Sequence, residues 1–79
     1  MKIYSIKDTK GSEFAPPFIS RTDLSAIRSF QEMIHGGKIV YADDFELYRI
    51  GSFDIDTGII VPETPILLDT PFDDGKENK

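Results

Sequence analysis

The pattern of apolar and polar residues predicts a β-hairpin over residues 41–61, around which the other elements are arranged. In its first arm, Phe45 and Leu47 point to one face while Tyr48 and Ile50 point to the other. Apolar groups on both faces are typical of a central strand that is covered on both sides. The arm therefore belongs in the middle of a sheet.

Residue types that are typical of turns and strands predict the hairpin loop and two further strands. Gly58 can adopt the positive φ that a short hairpin loop requires, and Pro62 ends the second arm because proline cannot donate to a ladder. Residues 2–7, reading KIYSIK, predict a first strand. Residues 14–19 contain two consecutive prolines, which restrict them to a short edge strand.

Residues 22–35 predict a helix with one apolar stripe. Ser20 or Thr22 can cap its first turn, and Gly36-Gly37 can end it in the left-handed conformation. The apolar residues recur at helical spacing: Leu24, Ala26, Ile27, Phe30, Met33 and Ile34. One stripe requires one sheet face, so the helix should lie across the sheet.

Together these elements predict an α+β fold, with an antiparallel sheet of three to four strands and one helix packed on one face. Residues 1–62 form the single domain, and residues 63–79 form an extended acidic tail that is disordered at its end. The apolar patch at residues 66–68 can add a strand, within one chain or across a dimer. A chain of 79 residues buries only a modest core, which favours a homodimer.

Composition excludes several classes of site. The chain has no cysteine, so disulfides, thiolate metal sites and cysteine nucleophiles are excluded. It contains no apolar run of membrane-spanning length, and a soluble intracellular protein is expected. The formal charge of −5 is uneven: residues 1–40 carry six Lys/Arg against four Asp/Glu (+2), and residues 41–79 carry three against ten (−7).

Candidate catalytic and metal-binding residues have structural interpretations. His35 is the sole histidine and lies at the helix end, where the dipole favours a cation. Asp54 and Asp56 are similar to a fragment of a calcium loop but lack its later ligands, so they are interpreted as turn residues. Asp43 and Asp44 are neighbours that would point apart in a strand. We therefore expect no enzyme activity, no metal and no cofactor.

The N-terminal half contains the residue types of a single-stranded nucleic-acid site, in which basic side chains contact phosphates and aromatic rings stack on bases. The alternative is that the rings are core and the cations solvated. The candidate rings are Tyr4, Phe14, Phe18 and Tyr41. The candidate phosphate contacts are Lys2, Lys7, Lys10, Arg21, Arg28 and Lys38, of which Arg21, Arg28 and Lys38 are preferred.

Three blocks carry a resemblance to a known family. In order and spacing, KIYSIKD, PPFIS followed by AIRSF, and FELYRIGSFDIDTG resemble the small nonstructural protein of gokushoviruses, tailless single-stranded-DNA phages of the microvirus family. The resemblance covers about residues 1–61. It implies a phage-encoded protein of the host bacterial cytoplasm, absent from the virion, with a role in genome replication or the replication-to-packaging switch and in DNA binding. It supplies no catalytic residue.

The acidic C-terminal segment is a second candidate interaction site. The run DTPF at residues 69–72, beside Asp73 and Asp74, is similar to the acidic tail by which bacterial single-strand-binding proteins recruit partners. In those tails phenylalanine is the last residue, whereas here seven residues follow Phe72. Coincidence in a low-information stretch is the alternative.

Two functions remain open from the sequence. The first is a phage accessory protein that binds single-stranded DNA through the N-terminal cations, although the acidic charge opposes this. The second is a dimeric protein-interaction module that binds a host or phage replication protein through a sheet edge or residues 62–72, with Ile66, Leu67, Leu68 and Phe72 as contacts.

Overall fold

A computed structural model describes residues 1–36 and 42–71. These ranges contain β1 (Lys2–Asp8), β2 (Glu13–Phe14), β3 (Phe18–Ser20), α1 (Asp23–His35), a 3₁₀ turn (Ala42–Asp44), β4 (Phe45–Phe53) and β5 (Ile60–Asp69). The predicted α+β fold with one helix on an antiparallel sheet is confirmed. The sheet has five strands in the described ranges, compared with the three or four expected.

β1 and β4 form the centre of the sheet, as the hairpin pattern predicted for β4. β1 pairs with β4 on one side and with β2 and β3 in succession on the other, and β5 lies beyond β4. The predicted edge segment is split in two because Pro16 and Pro17 cannot donate to a ladder. Ala15 bridges the gap: its N–H donates to the Ile6 carbonyl at 2.8 Å, and its carbonyl accepts from the buried Ser5 hydroxyl at 2.7 Å.

β5 continues further than the sequence suggested. Residues 63–69, assigned above to the acidic tail, form its second half. Asp69, the first residue of the tail-like DTPF run, is 5% exposed, and its carboxylate accepts a hydrogen bond from Gln31 of α1. This acidic residue therefore attaches the end of β5 to the helix.

The hairpin loop and the helix start agree with the sequence analysis. Gly58 has φ +78°, as predicted, and its N–H donates to the Asp54 carbonyl at 2.7 Å. Thr22 caps α1 by accepting from the Ser25 N–H at 3.1 Å. At the other end, Gly36 has φ −76°, so it does not use the left-handed conformation that was expected, and Gly37 lies outside the described residues.

The core lies between α1 and one face of the sheet. Ala26, Phe30 and Ile34 of the helix pack against Tyr4 of β1 and Leu47 of β4, and all five are buried. These helix residues belong to the apolar stripe that the sequence predicted. Because one helix provides one apolar stripe, only one face of the sheet is covered by this packing.

A polar network joins the helix to three strands at the edge of this core. The Tyr4 hydroxyl donates to Asp23 Oδ1 at 2.8 Å, and Arg49 Nη1 lies 2.5 Å from Asp23 Oδ2. Arg49 Nε also donates to Glu63 Oε1 at 3.0 Å, which raises the pKa of Arg49. Burial of the Tyr4 ring, followed by its bond to Asp23, raises the pKa of Tyr4 well above its ordinary value.

Substitution of Gly51 tests how closely β4 and β5 approach. A Cβ atom at this position would lie 2.6 Å from the Val61 carbonyl oxygen, so one strand must shift. We expect Gly51→Ala to lower the free energy of unfolding by about 1–3 kcal/mol, measured by urea denaturation. The control is Gly11→Ala, whose Cβ would meet only the Asp8 side chain within 4 Å. Equal stability of both variants would contradict the close approach.

The pH dependence of stability tests the Tyr4 environment. The raised folded-state pKa means that neutral Tyr4 contributes fully below the ordinary pKa of about 10 and that the contribution is lost as pH rises above it. We expect Tyr4→Phe to cost about 1–2 kcal/mol at neutral pH, because the Asp23 bond is lost. Its unfolding free energy should then fall less steeply in alkaline urea titrations than that of the unmodified chain. Parallel pH profiles would contradict this assignment.

Candidate interaction surfaces

The sheet face that points away from α1 is here called the open face, and it is the first candidate interaction surface. Tyr4 faces the helix, so its neighbours Ile3 and Ser5 point away from it, followed by Lys7. In residues 1–36 and 42–71 the one helix packs on the other face, and no second sheet is present to cover the open face. Ile3 and Ser5 are buried by their neighbours, so the side chains available to a partner are those around them, among them Phe14, Ile19 and Ile60.

One end of the open face is an apolar groove of about 490 Å³. Its lining includes Ile3, Ile19, Ile50, Phe53, Ile60 and Pro62. Strand register places Ile19, Ile3, Gly51 and Pro62 in one row across β3, β1, β4 and β5. At Gly51 the backbone of β5 is so close that a Cβ atom would lie 2.6 Å from the Val61 carbonyl oxygen, so the groove is formed by the side chains around this row and not by the missing side chain of Gly51.

The other end of the open face combines a cation with exposed rings. Lys7 Nζ lies 5.6 Å from the centroid of the Phe14 ring, and Phe14 meets Tyr48 edge to face with centroids 5.4 Å apart. Tyr48 donates to Glu46 Oε1 at 2.7 Å, and this bond raises the pKa of Tyr48. Glu46 is also the direct cross-strand partner of Lys7. The cation is therefore balanced locally by an acid.

The proposed phosphate contacts do not lie on one face. Lys2 pairs with Ser20 at the start of β1, next to the exposed Arg21. Lys7 lies at the far end of the same strand, about 16 Å away at 3.3 Å per residue. Arg28 is exposed on the helix, in the layer on the opposite side of the sheet from Lys7.

Two further cations complete this set. Lys10 Nζ is 4.0 Å from Asp44 Oδ2 at the β1 end that carries Lys7. Lys38 lies outside the described residues. The structure therefore groups Lys2 with Arg21 and Lys7 with Lys10, and it separates both pairs from Arg28.

The candidate stacking rings differ in their exposure. Tyr4 is fully buried, and Phe18 packs against the core with its ring centroid 5.7 Å from that of Tyr4. Phe14 is 45% exposed. Tyr41 lies outside the described part of the chain. Among these rings, Phe14 is the one that the structure places at an accessible site.

The outer edge of β5 is the second accessible surface. The strand pairs with β4 on one side, and no described strand pairs with the other. Ile66 and Leu67 are 42% and 50% exposed, whereas Leu68 is partly buried against the core. Phe72, the fourth proposed partner contact, lies beyond the described residues. Two of the proposed contacts are thus exposed on the edge strand, Ile66 on the helix side of the sheet and Leu67 on the open face.

The candidate catalytic and metal residues have local structural partners. His35 Nε2 lies 2.9 Å from Gln31 Oε1. Asp54 Oδ1 accepts from the Asp56 N–H at 2.9 Å, a bond that lowers the pKa of Asp54 and holds the hairpin turn. Asp44 belongs to the 3₁₀ turn rather than to a strand, and its carbonyl accepts from the Thr9 N–H at 2.8 Å.

Several residues of these surfaces were not identified from the sequence. Tyr48 and Glu46 were assigned to a strand but not to a face shared with Lys7, and Gly51 was not considered. Arg49 was not recognised as the ion-pair partner of Asp23. Alternation along β1 is the signal that could have placed Lys7 opposite the helix; the other assignments require the register between strands.

Comparisons with known proteins identify a family. The family model described as "Phage ORF5 protein" matches residues 1–73. No curated protein and no solved structure matches the chain. Within the residues that the structure describes, no helix is long and apolar enough to span a membrane.

Proposed function

Because the chain belongs to the Phage ORF5 protein family, we propose that it is a nonstructural accessory protein of a gokushovirus-like phage that binds a host or phage replication protein. It acts in the host cytoplasm during replication of the single-stranded-DNA genome, and its role is binding rather than catalysis. The observation that carries this proposal is the exposed apolar outer edge of β5.

The β5 edge has the features of a strand-addition site. An exposed edge offers unpaired backbone groups, and an extended partner segment can pair with them. Pro62 and Pro65 lack a backbone N–H, so the first half of the strand has fewer hydrogen-bond donors. Residues 66–69 contain no proline. Pairing should therefore occur at residues 66–68, with Ile66 and Leu67 providing apolar contacts.

Charge indicates the chemistry of the partner segment. Residues 41–79 carry three Lys/Arg against ten Asp/Glu, a balance of −7. An extended segment with alternating apolar residues and basic flanks would be attracted to this half of the chain. Because apolar and backbone contacts hold the complex, added salt should slow its association and should change its dissociation rate little.

Site-specific photo-crosslinking in infected cells tests this function. A photoreactive residue at Ile66 should form an adduct with a defined replication protein, and one at Leu24 should not. Leu24 is a matched control because it is apolar and 66% exposed, but it lies on the helix. Equal adducts at both positions, or none at Ile66, would contradict the proposal.

Ile66→Asp should weaken the purified complex by about 30-fold or more, with Leu24→Asp as control.

The arrangement of Lys7, Phe14 and Tyr48 favours one second candidate function, the binding of single-stranded DNA on the open face. Exposed rings beside a cation can stack bases and contact phosphate. Glu46 and the net charge of −5 act against this binding, so it should be weak and strongly salt-dependent.

Fluorescence anisotropy of a labelled single-stranded oligonucleotide, with a duplex as control, tests the second candidate. Binding at low salt should weaken by about 1–3 kcal/mol in Phe14→Ala, because one stacked base is lost. Arg28→Ala is the control, since Arg28 lies in the helix layer on the other side of the sheet. Absence of binding at low salt, or equal losses in both variants, would remove this candidate and leave protein binding.

A further inference from the structure

We infer that the open face is the interface of a homodimer, in which the groove between Ile19 and Ile60 receives the same face of a second copy about a two-fold axis. The inference concerns a different surface from the β5 edge and holds whatever that edge binds. A two-fold axis requires a self-complementary surface, and the groove and its flanks can be tested for this property.

The groove is large enough to receive side chains from a facing sheet. Its volume of about 490 Å³ is several times the roughly 150 Å³ that accommodates a benzene-sized group. Ile19 and Ile60 flank it and are 49% and 61% exposed. Ile19 and Ile60 of one copy can therefore fill the groove of the other copy.

Layer packing explains why a second copy is needed. A sheet is stable when each apolar face is buried against another layer, and α1 supplies a layer for one face only. The buried apolar core of the described residues is limited to Ile3, Tyr4, Ala26, Phe30, Ile34 and Leu47. Packing of two open faces would supply the missing layer to both copies at once.

The charge distribution also favours this face for self-association. Two chains with a charge of −5 repel each other over most of their surface. The groove lining contains no charged residue, and the neighbouring pair Lys7 and Glu46 lies at the other end of the open face. Because one is basic and one acidic, two-fold symmetry can bring Lys7 of one copy to Glu46 of the other.

The open face has an area close to what a dimer requires. Four strand positions at about 4.8 Å spacing are about 19 Å wide, and the seven residues of β1 at about 3.3 Å extend about 23 Å. Two faces of this size bury about 900 Å² when they overlap fully, which is close to the roughly 1,000 Å² expected of a biological interface.

Sedimentation equilibrium over a dilution series tests the dimer. The unmodified chain should show twice the chain mass, and Ile60→Glu should raise the dimer dissociation constant by about 30-fold or more. Ile19→Glu, on the opposite side of the groove, should have the same effect. Leu24→Glu should leave the mass unchanged, and far-UV circular dichroism verifies folding of each variant.

A mixture of isotope-labelled and unlabelled chains locates the interface independently of any substitution. Isotope-filtered nuclear Overhauser effects should connect methyl groups of Ile3, Ile19, Ile50 and Ile60 between copies. A monomer at the highest concentration would overturn the inference, as would intermolecular effects confined to β5 residues 66–69 or to the helix. Dissociation of Leu24→Glu with retention of both groove variants would also overturn it.

Discussion

The ion pairs of Arg49 with Asp23 and Glu63 join the start of the helix and β5 to β4 at the edge of the apolar core. The planar guanidinium group directs Nη1 to the first residue of α1 and Nε to β5. The Arg49 side chain retains 22% exposure, so water screens the charges only in part. Tyr4 of β1 donates to the same Asp23 carboxylate. One side chain on β4 thereby defines where the helix begins relative to three strands of the sheet.

This constraint determines which surfaces remain for partners. With α1 held over Tyr4 and Leu47, the apolar residues on the reverse of the sheet have no helix to pack against in residues 1–36 and 42–71. The polar network also uses Arg49 internally, which leaves the open face with the Lys7 and Glu46 pair. The Arg49 network is therefore on the helix side of the sheet, and the Lys7 and Glu46 pair is on the other side. A small core and an uncovered apolar face are both consequences of having a single helix.

Local patterns were sufficient for the elements but not for the extent of β5. The helical stripe, the Thr22 cap and the positive φ at Gly58 depend on nearby residues and were predicted. Pro62 and Pro65 suggested that the last strand ended early. Both are tolerated because β5 is an edge strand, and because residues 63–65 leave the ladder opposite a single residue of β4. A tail inferred from composition is thus partly sheet.

The sequence by itself determined the α+β class, the helix with its apolar stripe, the central hairpin and the uneven charge, because each depends on residue type and short spacing. It also predicted an apolar patch that includes Ile66 and Leu67, and the structure shows both side chains exposed. Only the tertiary structure separated Lys7 from Arg28, placed Gly51 between Ile3 and Pro62, and joined Arg49 to Asp23. Those relations depend on strand order and register. Bulges shift the register, and residues that are far apart in the sequence determine it together.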